Sequence, residues 1–390
     1  PLEDPDREHP CEYTEVEYPM LAQLAGMGWD YLQGDIDYPQ KTFREHFREV
    51  LLKPRMRAAL RKINLDDSGR EYLDDVTIER AIQELQRTDS QNLLDRNKEI
   101  TEKLILGVKV TWAECPAGKN DNTVRVHFFD FDRDAAGNND FLAINQFRVE
   151  FVGRTGFVIP DIVLFVNGIP LAVIECKSPA IIEPMNEGIN QLLRYSNQRA
   201  EVAEDEGVPH LFLFNQLMVS TWYYEARAAA LGADYDYYQE WKDTAPVPLD
   251  EVAAEQDKPL AQLKSQEILA AGLLRPAHLL DVLRNFTIFD EDNGRLIKIT
   301  PRYQQFRAVH TATDRLTRGR TRIQSGDQDE RGGVVWHTQG SGKSITMAFL
   351  VRKMRTMEAL KDFKVVLVTD RTQLEKQLRE TMTLSGQNIR

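Results

Sequence analysis

The sequence contains little cysteine and no long apolar run. Its 390 residues include only 3 cysteines, Cys11, Cys115 and Cys176, which form neither a metal-spaced pair nor an even framework. This usage indicates reduced thiols and a cytoplasmic protein, and it argues against a disulfide-stapled secreted domain. No stretch approaches membrane-spanning length, and Pro1–His9 is too polar for a signal peptide. We therefore expect no contact with a membrane.

The chain also lacks an excess of positive charge. Its net charge of -12 would argue against a nucleic-acid partner if the charges were evenly spread. However, residues 201–260 hold thirteen acids against three bases, whereas 41–62 hold eight bases against two acids and 302–322 hold six against one. The two basic stretches can bind phosphates, although solvated helix faces would carry the same pattern. The length predicts two or three domains.

Two apolar runs around Asn167-Gly168 predict a buried β-hairpin. Ile162–Val166 and Leu171–Ile174 are rich in β-branched and aromatic residues, as central strands are, and Asn-Gly is a turn signal. The remaining question is which residues the hairpin brings together at its open end.

Charge appears only at the ends of these runs far from the turn, as Asp161, Glu175 and Lys177. Side chains two apart on a strand share a face, so Glu175 and Lys177 point the same way. Carboxylates bind hard cations such as Mg²⁺, and a bound cation activates water and stabilises charge on a phosphate. We expect Asp161 and Glu175 to hold the metal and Lys177 to position the water. Solvated strand ends are the alternative.

The shared metal site depends on the hairpin register. A two-residue turn would direct Asp161 to the sheet face opposite Glu175. A three-residue loop, Val166–Gly168, would pair Phe165 with Ile169 and keep both carboxylates on one face. We therefore predict the three-residue loop, with its last residue, a glycine, at positive φ.

A second candidate site lies near the end of the chain. Residues 333–337 and 345–355 predict a strand and a helix, and the turn between them is rich in glycine. Backbone N–H groups of such a turn bind phosphates, and we expect ATP here. Lys343 would reach the β/γ-phosphates and Ser344 would hold Mg²⁺. The other predicted nucleotide-binding residues of the turn are Gly340, Ser341 and Gly342.

The first cluster resembles the PD-(D/E)xK nuclease core, in which Pro-Asp is followed after a spacer by Glu-x-Lys. The helix predicted over 187–198 carries Gln191 and Tyr195, which resemble the Gln-xxx-Tyr motif of RecB-like nucleases. The resemblance implies catalytic roles for Asp161, Glu175 and Lys177 as well as for Gln191 and Tyr195. It also implies a metal-directed glutamate on the first helix, for which Glu17 is the candidate. Thr14 and Glu17 equally fit a capping box, so that structural role stays open.

The second cluster resembles the Gly-x-Gly-Lys-Ser form of superfamily-two helicases. Upstream, Arg302-x-x-Gln305 resembles the adenine-reading Q motif, with Gln304 as a rival and a surface pair as the alternative. Downstream, a predicted strand at 365–369 ends in Asp370-Arg371, which resembles helicase motif Ia and implies contact with the DNA backbone.

Together these motifs are similar to the motor (R) subunit of type I restriction enzymes. Further shared segments are Val166-Asn167-Gly168-Ile169-Pro170-Leu171, Leu283-Arg284-Asn285-Phe286 and Trp336-His337-Thr338. The resemblance implies an α/β protein. We expect a PD-(D/E)xK-type endonuclease domain with a central mixed sheet over 1–230, an acidic connector and linking helix over 231–295, and the first part of a RecA-like parallel-sheet helicase domain over 296–390.

The resemblance further implies Mg²⁺-dependent cleavage of double-stranded DNA coupled to ATP-driven translocation, with methyltransferase and specificity subunits as partners. The sequence has no Asp-Glu Walker B pair, arginine finger or second RecA-like domain, so we interpret it as part of a longer subunit with an incomplete ATPase. Two alternatives remain. One is a helicase–nuclease of another repair or defence system, and the other is a DNA-binding assembly module with a vestigial nuclease.

Overall fold

The protein is described from a computed structural model covering residues 2–3, 11–66, 68–113, 121–131, 137–199, 206–326, 328–369 and 372–386. The strands are β1 Asp30–Gln33, β2 Val108–Thr111, β3 Thr123–Val126, β4 Phe141–Asn145, β5 Val149–Glu150, β6 Phe157–Val158, β7 Ile162–Val166, β8 Ile169–Cys176, β9 Leu217–Thr221, β10 Ala226–Ala229, β11 Gln239–Glu240, β12 Ile288–Asp292 and β13 Arg295–Ile299.

The helices surround this set of strands. They are α1 Tyr18–Gly26, α2 Lys53–Ile63, α3 Asp75–Gln86, α4 Leu93–Leu106, α5 Pro184–Tyr195, α6 Pro209–Phe212, α7 Leu249–Glu255, α8 Ser265–Leu269, α9 Pro276–Asn285, α10 Tyr303–Arg318, α11 Arg322–Ser325, α12 Lys343–Thr356 and α13 Thr372–Thr383. A π-helical turn, Tyr13–Glu17, leads directly into α1. Since a π-turn is wider than an α-turn, the chain continues as a helix through Pro19, which lacks an N–H.

Strands β7 and β8 lie at the centre of a seven-stranded mixed sheet with the order β1-β4-β7-β8-β9-β10-β11. Strand β8 is antiparallel to β7 and parallel to β9. Every residue of β7 and β8 is buried, which explains why both runs are apolar throughout instead of alternating. The predicted hairpin and central mixed sheet are confirmed. The sheet extends through β11, beyond residue 230, and the domain boundaries stay predictions.

The predicted three-residue loop is wrong. Asn167 and Gly168 have φ of 53° and 76°, which is the two-residue turn that Asn-Gly favours. The first pairs are Val166 with Ile169 and Phe165 with Pro170. Positive φ at the glycine, the other part of the prediction, is confirmed.

A β-bulge nevertheless brings the charged ends onto one face. The register shifts between Leu164 and Phe165, so that Leu164 pairs with Ala172 and Leu171 is the additional residue. Proline has no N–H for the ladder and is tolerated at bulges, which accounts for the irregularity beside Pro170. Continuing the shifted register by one pair beyond Ile162–Ile174 places Asp161 opposite Glu175. The prediction of a shared face is therefore right, although the mechanism differs.

The Asn-Gly turn is also tied to its surroundings. Asn167 donates from Nδ2 to the Phe128 carbonyl at 2.8 Å and accepts from the Asp140 N–H at 2.7 Å. A Cβ at Gly168 would lie 2.6 Å from the Leu52 carbonyl oxygen. Both residue types are therefore required by contacts as well as by backbone angles.

The region after residue 300 is helical in its described part. The predicted helix after the glycine turn is present as α12, which packs on α10. The strands predicted at 333–337 and 365–369 are wrong, because neither stretch forms a strand or joins a sheet of the described residues. Val334, Trp336 and Val368 are 95%, 83% and 90% exposed. A parallel strand forms only where another strand pairs with it, and none of the described strands pairs with these stretches.

A buried lysine joins the hairpin of β12 and β13 to the central sheet. Lys298 of β13 donates to Asn97 Oδ1 at 2.8 Å, to the Asn215 carbonyl at 3.0 Å and to Gln216 Oε1 at 2.7 Å. Burial lowers the pKa of Lys298 well below its ordinary value. Its three neutral acceptors come from α4 and the segment entering β9.

Candidate functional site

The three charged residues at the open end of the hairpin meet in the interior. Glu175 is completely buried, and Asp161 and Lys177 are 8% and 7% exposed. Lys177 Nζ donates to Glu175 Oε1 at 2.7 Å, and the Cys176 N–H donates to Asp161 Oδ2 at 2.7 Å. The other oxygen of Glu175, Oε2, has no hydrogen-bond donor among the described residues. The predicted cluster is therefore assembled, and the solvated alternative is excluded.

The cluster has more negative charge than it can compensate. Burial raises the pKa of Glu175 well above its ordinary value, and the Asp161 charge raises it further against the effect of Lys177. Burial also raises the pKa of Asp161, opposed by Lys177 and the Cys176 N–H. Burial lowers the pKa of Lys177, but the charges of Glu175 and Asp161 outweigh it and the net shift is upward. Another positive charge would relieve this repulsion.

The donor set fits a hard divalent cation. Proteins usually hold Mg²⁺ with one or two carboxylates, and water and substrate phosphates complete its shell. Asp161 and Glu175 supply two carboxylates. Among the residues that the structure describes, no group of three or more His, Cys, Asp or Glu side chains could hold a metal ion. A cation at this pair would therefore need water or phosphate oxygens as its remaining ligands.

Glu17 is directed toward this cluster and does not cap a helix. It is buried and accepts from Asn145 Nδ2 at 2.9 Å and from Gln146 Nε2 at 3.3 Å. Burial, with a contribution from the Asp161 charge, raises the pKa of Glu17 to about 7. Thr14 Oγ1 bonds only with Cys11, so the capping-box interpretation is wrong. The metal role of Glu17 stays a prediction.

The sequence did not reveal Glu12. Its Oε2 accepts from the Ser178 N–H at 2.8 Å, directly after Lys177, and its charge acts on Asp161 and Lys177. No motif in the sequence pointed to this residue. It tethers the first helical turn to the strand that carries the cluster.

Helix α5 covers the same end of the sheet. Gln191 Nε2 donates to the Tyr195 hydroxyl, as their spacing on one helical face predicts, and that hydroxyl contacts the Ile159 carbonyl at 3.4 Å. Burial raises the pKa of Tyr195, and the Glu175 charge adds to the effect. The two residues are therefore brought together near the cluster, while their catalytic roles stay predictions.

The glycine turn before α12 is exposed. Gly340 and Gly342 have φ of 78° and 79°, and α12 begins at the next residue. Lys343 Nζ donates to the carbonyls of His337 and Thr338 at 3.0 and 2.8 Å. The lysine is thus folded back onto its own loop, and Ser344 follows it in the first turn of the helix.

Gln305 contacts this turn directly. Its Nε2 donates to the Gly342 carbonyl at 3.2 Å, and its Oε1 accepts from the Arg302 N–H at 2.9 Å. Gln304 is exposed, so the contacts favour Gln305 over its rival. A cavity of about 400 Å³ adjoins the turn and is lined by Arg302, Gln305 and Gly340 to Gly342, together with residues of β10 and β13.

Asp370 and Arg371, the predicted DNA contacts, lie outside the described residues. The basic stretch at 41–62 is largely neutralised in space. Its ion pairs are Lys41–Asp35, Lys53–Glu49, Arg55–Asp140, Arg57–Glu79 and Arg61–Asp75. This stretch therefore matches the alternative of a solvated, paired surface better than that of a phosphate-binding patch.

Comparison with known protein families decides what the chain is related to. The family described as type I restriction enzyme R protein N terminus (HSDR_N) matches residues 11–236. The chain belongs to the type I restriction enzyme R protein family. A second match, described as SWI2/SNF2 ATPase, covers residues 304–390 and includes the glycine turn.

Individual relatives lead to the same family. The type I restriction enzyme HindI endonuclease subunit of Haemophilus influenzae is 33% identical over 381 residues, which is 96% of this chain and 33% of the relative. A relative from Methanocaldococcus jannaschii, named for the type I restriction enzyme MjaIXP, is 30% identical over 93% of this chain and 33% of its own length. The chain thus spans about a third of the curated relatives it matches.

No helix in the described ranges is long and apolar enough to cross a membrane.

Proposed function

We propose that the protein is the nuclease and motor subunit of a type I restriction endonuclease, which cleaves double-stranded DNA with Mg²⁺ and couples cleavage to ATP-driven translocation. The observation that carries the proposal is the buried cluster of Asp161, Glu175 and Lys177, which has two carboxylates on one face and lacks a second positive charge. Membership of the R protein family supports a restriction system over another helicase–nuclease.

In this proposal Asp161 and Glu175 hold the metal, and Glu17 is a further candidate ligand. Mg²⁺ supplies an activated water and Lewis-acid stabilisation of the phosphate when it is bound. Lys177, whose Nζ lies 2.7 Å from Glu175 Oε1, orients the attacking water and offsets charge that develops on the phosphate. Gln191 and Tyr195 of α5, which are hydrogen-bonded to each other near the cluster, take part in catalysis in this proposal.

The glycine turn binds ATP in the same proposal. Backbone N–H groups of Gly340, Ser341 and Gly342 contact the phosphates, and Ser344 holds the accompanying Mg²⁺. Lys343 exchanges its two carbonyl acceptors for phosphate oxygens, which requires only rotation of an exposed side chain. Arg302 and Gln305 recognise the base.

Asp370 and Arg371 contact the DNA backbone. Methyltransferase and specificity subunits supply target recognition, and the subunit works in complex with them. These partners rest on family resemblance and on no contact within the chain.

The test is cleavage of supercoiled plasmid by the full-length subunit with its partners, Mg²⁺ and ATP. Lys177→Ala is expected to reduce cleavage by about 10²- to 10³-fold and to leave ATP hydrolysis intact. Lys343→Ala is expected to weaken ATP binding by about 10- to 100-fold, because it removes a charged hydrogen-bond donor to phosphate. Lys62→Ala, at an exposed lysine, is the control and should change neither activity.

Full cleavage by Lys177→Ala would exclude a catalytic role for this cluster. Absence of Mg²⁺-dependent cleavage by the wild type would favour the vestigial alternative. Cleavage and ATP hydrolysis without methyltransferase and specificity subunits would instead favour a helicase–nuclease of another system.

A further inference from the structure

Strand β9 carries a buried hydroxyl beside the carboxylate pair. Ser220 is the register partner of Glu175 across the parallel β8–β9 pair and is completely buried. Paired residues of neighbouring strands direct their side chains to the same face, with about 4.8 Å between strands. Ser220 Oγ therefore lies on the face that carries Glu175 and Lys177.

Ser220 Oγ and Glu175 Oε2, both on this face, are left without a partner in the described part of the chain when Asp161 and Glu175 are ionised, whereas a proton on either carboxyl lets the two carboxyls share a hydrogen bond. Ser220 Oγ has no hydrogen-bond partner among the described residues, and the same holds for Glu175 Oε2. An ionised Asp161 cannot donate to that oxygen, because both are acceptors. A buried polar atom without a partner destabilises a protein, so each one calls for an explanation.

Helix α5 confines the hydroxyl at this position. A Cβ at Gly188 would lie 2.2 Å from Ser220 Oγ and 3.4 Å from Lys177 Cγ. The glycine thus lets the helix backbone approach the strand and close the hydroxyl off from solvent. The hydroxyl therefore lies between α5 and the face of the sheet that carries Glu175 and Lys177.

The neighbouring residue shows that an unsatisfied hydroxyl is not imposed by the strand. Thr221 faces the other side of the sheet, where its Oγ1 donates to Gln266 Oε1 at 2.8 Å. Both residues are completely buried, so burial alone does not explain the difference.

We propose that Ser220 is a positioning residue of the carboxylate centre. Its hydroxyl donates to Glu175 Oε2, directly or through one water, when Asp161 and Glu175 hold a divalent cation, and so fixes the carboxylate in its ligating orientation. This inference rests on the proposed function. Partners that orient metal ligands in this way typically contribute 10- to 100-fold to metal affinity.

The experiment measures Mn²⁺ binding by calorimetry and thermal unfolding of the full-length protein without DNA or nucleotide. Ser220→Ala is expected to weaken Mn²⁺ binding about tenfold or more, while the metal-free melting temperature holds or rises because an unpaired hydroxyl is removed. Thr221→Val is the matched control. It should lower the melting temperature, since a satisfied hydrogen bond is lost, and leave Mn²⁺ affinity unchanged.

Unchanged Mn²⁺ affinity in Ser220→Ala would overturn the inference, as would a loss of metal-free stability like that of Thr221→Val. Asp161→Asn separates this result from failure of the nuclease proposal. If wild type binds Mn²⁺ and Asp161→Asn does not, the metal site stands and only the role of Ser220 is tested. If Asp161→Asn binds as wild type does, both proposals fail.

Discussion

The carboxylate cluster and the glycine turn differ in their burial and in how their charged side chains are hydrogen-bonded. The cluster is buried between the sheet and α5, with one Glu175 oxygen lacking a donor. The turn is exposed, and Lys343 is satisfied by two carbonyls of its own loop. The carboxylates of the first site already lie together in the interior of the ligand-free protein. In the proposed function, Lys343 of the second site turns from its own loop to a ligand.

This difference predicts that the two sites affect the stability of the ligand-free protein differently. A buried carboxylate pair destabilises the metal-free fold, because each charge is removed from water and repels the other. An exposed lysine on its own loop costs little. Substitutions should therefore act on stability at the cluster and on ligand binding alone at the turn.

The largest effect is expected for Glu175→Gln. Cleavage should fall about 10³-fold, because a ligand and its charge are lost. The free energy of unfolding of the metal-free protein should hold or rise, since the buried negative charge is removed. Plasmid cleavage and urea unfolding in a chelator measure the two quantities.

Lys343→Ala is the counterpart from the exposed turn, and its free energy of unfolding should stay within about 0.5 kcal/mol of wild type. A loss of several kcal/mol in Glu175→Gln would mean that its contact with Lys177 is a structural ion pair, and the contrast between the sites would be lost.

Two glycines extend the comparison to the cost of an alanine substitution in the free energy of unfolding. Gly168 and Gly340 have nearly the same φ, 76° and 78°, but a Cβ meets the Leu52 carbonyl at 2.6 Å in the first and nothing within 4 Å in the second. Gly340→Ala should cost only the strain of a left-handed residue, about 1 kcal/mol. Gly168→Ala should cost about 3 kcal/mol, because the clash adds to the strain.

Urea unfolding of both alanine variants gives the difference. Equal losses would show that the Gly168 contact relaxes freely, and the hairpin would then be less constrained than its hydrogen bonds indicate.

The smallest effect concerns pH. Burial raises the pKa of Glu17 from 4.5 to about 7, so the folded state binds more protons than the unfolded state between these values. The free energy of unfolding therefore falls as pH rises through this window. Glu17→Gln removes this titrating carboxyl. The free energy of unfolding of the variant should therefore gain on the order of 2 kcal/mol over that of wild type between about pH 5 and about pH 8. Parallel pH profiles of metal-free wild type and variant would contradict the burial argument.

The hairpin was predictable because its strands are apolar over their whole length. Its register was not, because the shift depends on one missing N–H at Pro170 and on an additional residue, Leu171. The preference of Asn-Gly for a two-residue turn was the correct local signal. Requiring a shared metal face led to the wrong loop, since a bulge can restore that face.

Other parts of the site lay beyond sequence patterns for different reasons. Glu12 joins the cluster through a π-turn, whose period differs from that of the α-helix on which face arguments rest. Ser220 lies on β9, and its proposed role depends on Glu175 being its register partner, which no local pattern shows. The strands expected near the glycine turn depend on pairing partners, which a hydrophobic pattern does not supply.

Lys298 limits where the protein can be divided. A piece that ends at Gly294 would keep Asn97, Asn215 and Gln216 but lose the ammonium that bonds all three. The Asn215 carbonyl would keep Asn97 Nδ2 at 2.9 Å and Gln216 Oε1 would keep the Thr101 hydroxyl at 3.4 Å, so Asn97 Oδ1 is the acceptor most affected. A buried acceptor left without a donor costs about 1 to 3 kcal/mol. Chimaeras that exchange the segment matching the SWI2/SNF2 ATPase family should therefore place the junction after Ile299. Lys298 then stays with the sheet whose acceptors it satisfies.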